Sequence, residues 1–217
     1  MNKYLLDIAT FPGDALLAWR ADGAHGLLTE LAERSVFRVA RSAHYNLYER
    51  DLSTITHVAP PEGVEIKMLA PRDHTLLDAL LTHRRRAQLE RDLASRTIFA
   101  ALRQGAVVGY SWWTPFFDSA LDFSPLALPS DAIFHGYVHV ARAERHRGTA
   151  SALFSAGERY LRERGARACW FLIKTTNIAG SRTARGRWGG LSRHIAQLSY
   201  WKYPFRTTRR LTLAEPE

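Results

Sequence analysis

The stretch that decides the fold runs Ile133-Phe-His-Gly-Tyr-Val-His-Val140, then Ala141-Arg-Ala-Glu-Arg145-His146-Arg147-Gly148-Thr149-Ala150, and on into Ser151 to Arg164. It reads as a strand, a basic turn, and a helix whose apolar positions are Leu153, Phe154, Tyr160 and Leu161, stopped by Gly165. A turn that enters a helix through Gly148 and the small residues Thr149 and Ala150 exposes main-chain N–H groups with no bulky side chain in front of them. Together with the positive end of the helix dipole, Arg145 and Arg147, these donors form a seat for a pyrophosphate.

Working outward, the chain alternates strands and helices. Val64–Leu69 alternates as a strand, and Asp73 can cap a helix carrying Leu76, Leu77, Leu80 and Leu81. His83-Arg-Arg-Arg86 then follows that helix and would meet its C-terminal dipole favourably. A second short helix is expected over Arg86–Ala94. Thr97–Leu102 and Ala106–Thr114 flank Arg103-Gln-Gly105, the pattern of an antiparallel hairpin. After the 115–131 loop and the quoted segment come a strand over Ala168–Ile173, a helix from about Ala179 and a β-like stretch near Ile195–Tyr203. The first sixty residues stand apart up to Pro60-Pro-Glu-Gly63: helical spacing over 14–42, and some alternation over Tyr45–Asp51. The expectation is a helical N-terminal extension, residues 1–60, packed on a main domain spanning 61–217.

With 217 residues, 46% of them hydrophobic, the chain can bury a real core and is not of disordered composition. The single cysteine, Cys169, excludes an internal disulfide and a Cys-rich zinc site. No apolar run is long enough to span a bilayer, and Asp7 and Pro12 break the only apolar stretch near the start, which points to the cytoplasm by elimination. The net charge of +9 is local: residues 142–210 hold 16 Lys and Arg against 3 Asp and Glu, whereas residues 1–141 hold 14 against 16. So basic a block calls for an anionic partner, whether a phosphorylated cofactor, an acidic carrier protein, lipid or nucleic acid. Nucleic acid is disfavoured by the absence of any helix-turn-helix, zinc-finger or ribonucleoprotein motif.

The element order and the Arg145-x-x-Gly148-x-Ala150 turn resemble the GNAT superfamily of acyl-CoA-dependent N-acyltransferases, over roughly residues 64–203. The resemblance implies an α+β fold with a mixed, mainly antiparallel central sheet flanked by helices. It implies acetyl-CoA or another acyl-CoA as cosubstrate, no metal, a small-molecule amine as acceptor, and a monomer or homodimer. By the same resemblance the cofactor would meet Val138, His139 and Val140 on the strand, residues Arg145, His146, Arg147, Gly148, Thr149 and Ala150 of the turn, and Asn177 after the next strand. An acyltransferase drawing its acyl group from an acyl carrier protein to make N-acyl amino acids is the alternative within the fold. A non-catalytic ligand- or nucleic-acid-binding module is the alternative outside it.

Three departures bear on mechanism. The position of the family's thiolate-protonating Tyr is Ala184, the position of its occasional basic Glu is Leu172, and the usual Gly-Phe after the last helix is Gly189-Gly190. Ser181 is then a candidate beside the sulfur and a second cofactor contact. His135 and His139 are the candidate bases, histidine being the side chain whose charge changes near neutrality. Their i, i+4 spacing on a strand predicts one shared face. Trp112, Trp113, Phe116 and Phe117 read as core or as a channel lining, Asp118 and Asp122 as loop acids able to hold an amine, and Arg182, Arg185 and Arg187 as reaching the cofactor phosphates.

Overall fold

The computed structural model describes residues 11–20, 23–24, 27–28, 31, 41–117, 126–178, 180–181, 192–203 and 206–214. The expectations for Asp118, Asp122, Ala184, Gly189-Gly190 and the 182–187 arginines lie outside those residues. The described part is an α+β structure built on one eight-stranded sheet. Its strands are β1 (Arg41–Asp51), β2 (Val64–Leu69), β3 (Thr97–Arg103), β4 (Ala106–Thr114), β5 (Ala132–Val140), β6 (Ala168–Lys174), β7 (Ser192–Tyr203) and β8 (Arg206–Leu213). Their order is β2-β3-β4-β5-β6-β1-β7-β8, and only the β5–β6 pair is parallel. The helices are α1 (residues 11–20), α2 (His83–Glu90) and α3 (Thr149–Glu163).

Helix α3 lies on one face of the sheet because its apolar stripe, Ala152, Leu153, Phe154 and Leu161, fits the 3.6-residue period and is buried. Each large apolar side chain so buried is worth about 1.5–3 kcal/mol. The stripe packs on Phe99, Trp113, Val140, Cys169 and Phe171. Gly157 makes the close approach possible: a Cβ there would stand 2.2 Å from the Trp113 ring. The opposite face carries two clusters. One joins Leu77, Leu81 and Leu89 to Tyr110 and Trp112, and the other joins Phe134 and Trp170 to Leu47 and Leu198. Trp112 and Trp113 are therefore both core, one on each face, and Phe117 packs at the edge of the second cluster.

Several expectations change on folding. The alternation over Tyr45–Asp51 is a strand, but it begins at Arg41 and is inserted between β6 and β7, so the first sixty residues are not a wholly helical extension. Pro71–Leu77 is a 3-10 helix rather than an α-helix. Proline occupies its first turn, and only Leu77 is buried within that helix. The basic run His83–Arg86 does not follow a helix but opens α2, with Thr82 as N-cap accepting from the Arg85 N–H. There the dipole disfavours positive charge. The buried carboxylate of Asp14, on α1, offsets part of that cost by accepting the His83 N–H at 2.5 Å. A further strand, β8, forms the outer edge of the sheet beside β7. Among the described residues, no helix is long and apolar enough to cross a membrane.

Candidate active site

Strand β5 parts from its parallel neighbour halfway along. Pairing covers Ala132↔Ala168 to His135↔Phe171, while β5 runs on to Val140 and β6 on to Lys174. An irregularity lies on the other side of β5 at the same place. Tyr137 faces Trp112 but His135 faces Trp113, so Gly136 is one residue too many and forms a β-bulge. A bulge bends its strand and increases its twist, and here it coincides with the point where the strands separate.

The bulge also changes which way the histidines point. Below it, His135 sits on the α3 face, its ring 4.1 Å from Phe154 and 5.0 Å from Trp113. Beyond it the alternation is reversed, and His139 stacks on Tyr110 at 5.8 Å, on the face of Leu77 and Leu89. The shared face expected from the i, i+4 spacing is thus overturned, because the extra residue at Gly136 shifts the two-residue period by one. His135 is buried, and desolvation pushes its pKa down to about 3. His139 is half-buried at the separated end of the strand.

The same register says which main-chain groups face the gap. The Ala141 N–H donates to the Val108 carbonyl at 2.8 Å. Antiparallel pairs alternate, so His139, opposite Tyr110, turns its N–H and C=O toward β4, while Val138 and Val140 turn theirs the other way. The Val140 carbonyl accepts the Arg145 Nε at 2.9 Å, which anchors the turn to the strand end.

From there the turn climbs into α3 through two left-handed residues, His146 (φ 62°) and Gly148 (φ 88°). For histidine that conformation costs about 1 kcal/mol and calls for a reason. Gly148 is the N-cap of α3 with no side-chain cap, and a Cβ on it would meet nothing nearer than Pro61 Cγ at 4.0 Å. The space beside Gly148 is therefore open, with His146 and Arg147 exposed next to it. Thr149 is buried, its hydroxyl turned back toward the Glu144 carbonyl at 3.5 Å, and Ala150 is half-buried. Beneath the turn lies a residue that sequence reasoning passed over. Glu144 is buried, receives Arg103 at 2.9 Å, and lies 3.9 Å from Arg147. Its sequence signal, one acid in a basic block, was visible without its meaning.

Across the gap, β6 ends in a turn to Asn177. The Asn177 side chain is exposed, its Oδ1 accepts the Gly180 N–H at 2.9 Å, and its carbonyl accepts the Ser181 N–H at 2.9 Å. Residues 178, 180 and 181 are helical, near where a helix from about Ala179 is expected, and Asn177 caps this segment, which carries the half-buried Ser181. Leu172, at the place of the occasional basic Glu, is half-buried against the Leu47–Trp170 cluster. A cavity of about 330 Å³ lies elsewhere, between α3 and the 57–60 segment, with Ile66 and Phe99 of β2 and β3 in its wall. Among the described residues, no group of three or more His, Cys, Asp or Glu is placed to hold a metal.

Residues 64–183 match the Acetyltransferase (GNAT) family. The chain belongs to that family. No curated protein matches it. Among solved structures, a Drosophila protein superposes with a TM-score of 0.54 at 14% identity over 86% of this chain and 69% of its own. A GCN5-related N-acetyltransferase from Sphaerobacter thermophilus gives 0.53 at 17% identity, over 87% of this chain and 57% of its own. A GNAT-family acetyltransferase from Novosphingobium aromaticivorans gives 0.53 at 14% identity, over 81% and 66%. At such identities the likeness is one of fold, and this GNAT chain spans less than two thirds of the length of the latter two.

Proposed function

We propose that this GNAT protein transfers an acyl group from acyl-CoA to an amine. One observation carries the reading: the gap between β5 and β6 opens at the strand end that leads directly into an uncapped, glycine-entered α3. The main-chain donors of Gly148, Thr149 and Ala150, with Arg147 and His146, suit a pyrophosphate, which asks for N–H groups and positive charge but no side chain in the way. Arg145 acts by holding the turn against Val140. Acyl-CoA supplies the activated thioester. The Val138 and Val140 N–H groups, turned into the gap, are the donors available to an acyl oxygen. Asn177 and Ser181 stand on the β6 side, with Ser181 the hydroxyl available near the sulfur.

Of the two histidines, His139 is the better candidate to accept a proton, since it is half-buried on the part of β5 that has parted from β6, although its Nε2 is covered, whereas His135 is enclosed between α3 and the sheet. A carrier-borne acyl group reaches such an enzyme on phosphopantetheine without a pyrophosphate, so the open Gly148 turn favours CoA as donor.

The test is calorimetry with acetyl-CoA. Gly148→Glu places a carboxylate where the phosphates must lie and should weaken binding at least about tenfold. Gly148→Ala reports the cost of the left-handed backbone alone. Equal affinities in the native protein and Gly148→Glu, or no affinity in the native protein, end the assignment. With an acceptor in hand, His139→Ala should lower kcat about a hundredfold and flatten the acid limb of the rate profile. Acetyl-CoA affinity should hardly change, because the strand contacts are main-chain ones. An unaltered pH profile would show that His139 only packs on Tyr110.

A further inference from the structure

We infer that the acceptor amine also carries a carboxylate, as an amino acid does, and that Arg85 holds it. The inference rests on the acyltransfer reading above and names the class of its acceptor. Arg85, in the first turn of α2, lays its guanidinium 4.1 Å above the ring of Tyr137 on β5. Tyr137 leans on Tyr110 at 5.9 Å, and Tyr110 stacks on His139 at 5.8 Å. Arg85, Tyr137, Tyr110 and His139 are therefore linked by ring contacts beside the part of β5 that has left β6, with Tyr110 of β4 buried between Tyr137 and His139.

Charge singles out Arg85 among these residues. Arg86 has Asp78 at 2.7 Å, Arg103 has Glu144 at 2.9 Å, Arg193 has Glu49 at 2.8 Å, and Arg50 has Glu158 at 3.2 Å. The hydrogen-bond partner of Arg85 is the neutral Gln88 Oε1 at 2.7 Å, and no carboxylate among the described residues pairs with it. A half-buried guanidinium has lost part of its hydration, and an anion that restores the balance is bound the more tightly for it. Stacking over Tyr137 leaves the edge of the guanidinium, with its parallel N–H donors, for bidentate contact with a carboxylate. Leu172 on β6 adds no negative charge to the gap. A purely cationic acceptor such as a polyamine would meet Arg85 with repulsion. An amino acid would pair its carboxylate there, and the neighbouring positive charge favours the neutral, nucleophilic form of its amine.

The experiment compares the twenty common amino acids, their C-terminal amides and spermidine as acceptors with acetyl-CoA, and measures acetyl-CoA binding in parallel. The best amino acid should exceed its own amide at least about tenfold in kcat/KM, with spermidine inactive. Arg85→Gln should raise KM for that amino acid at least about tenfold, leave kcat and the amide's KM within about twofold, and leave acetyl-CoA affinity unchanged. Arg85→Lys keeps the charge without the fork and should restore part of the loss, which separates recognition from damage to packing on Tyr137. If acetyl-CoA binds but amides match acids, no amino acid is acylated, or Arg85→Gln slows both alike, the carboxylate assignment falls and the acyltransfer reading stands. If the native protein binds no acetyl-CoA, both fall.

Discussion

Replacing Arg50 with methionine should destabilise the protein by about 3–5 kcal/mol at pH 8, and by roughly 1–1.5 kcal/mol less at pH 5. Arg50 reaches from β1 beneath α3, where its Nη1 lies 3.2 Å from Glu158 Oε1 with both side chains buried, and its Nε and Nη2 donate to Ser192 Oγ at 3.1 and 3.0 Å. Burial pushes the Glu158 pKa up to about 7, opposed by the Arg50 charge and hydrogen bond. The folded state therefore holds a proton on Glu158 that the unfolded chain, with an ordinary carboxylate near 4.5, has released. That favours folding below about pH 4.5, and the advantage disappears as the pH rises through about 7. Without Arg50 the opposing attraction is gone and the carboxyl moves higher still, so above about pH 7 the variant keeps a proton that the native protein releases, which adds roughly 1–1.5 kcal/mol to the loss at pH 8 over that at pH 5. Urea unfolding of Arg50→Met at pH 5 and pH 8 measures the difference, and equal losses at the two pH values would refute it. Arg50→Met combined with Glu158→Leu should recover most of the stability at pH 8, because no lone charge remains buried.

His135 should set the acid limit of the fold. Its folded pKa is near 3 against 6.5 in the unfolded chain, so unfolding takes up a proton throughout that interval. Its contribution is fully present above about pH 6.5 and is lost as the pH falls toward 3, by up to roughly 4–5 kcal/mol. Glu158 acts in the opposite sense between about 4.5 and 7. The two should nearly cancel from about pH 4.5 to 6.5, leave a slight decline from about 6.5 to 7 and no slope of their own above it, and expose His135 alone below about 4.5. In His135→Leu the acid limb should disappear and stability should go on rising as the pH falls from 7 to about 4.5. Chemical unfolding across pH 3.5–8 checks this, and an acid limb unchanged in the variant would assign it to other groups.

Cys169 belongs to the same buried region. Burial, followed by the neighbouring Glu158, pushes its thiol up, so it stays protonated and unreactive at neutral pH. Its sulfur should accordingly resist alkylation in the folded protein.

What the sequence determined by itself is what short-range rules govern. The strand over Ile133–Val140, the turn at Arg145–Ala150 and the helix over Ser151–Arg164 follow from hydrophobic period, glycine placement and the stop at Gly165, and the structure shifts their ends by only a residue or two. Asn177 after β6 is singled out only by the family resemblance, and the structure adds that its Oδ1 accepts the Gly180 N–H. Tertiary structure decided the rest. The alternation over Tyr45–Asp51 reads as a strand, but nothing in it places that strand inside the sheet with Glu49 and Arg50 on it. It lies there because Glu49 is met by Trp170 Nε1 at 2.7 Å and Arg193 at 2.8 Å, and Arg50 by Glu158 and Ser192, all of them more than a hundred residues away. The faces taken by His135 and His139, where β5 parts from β6, depend on the extra residue at Gly136. A bulge is a relation between two strands, so no pattern within one of them can announce it. Arg85 over Tyr137 is of the same kind: two residues fifty-two positions apart, brought together because α2 covers the face of β4 and β5 on which the site opens.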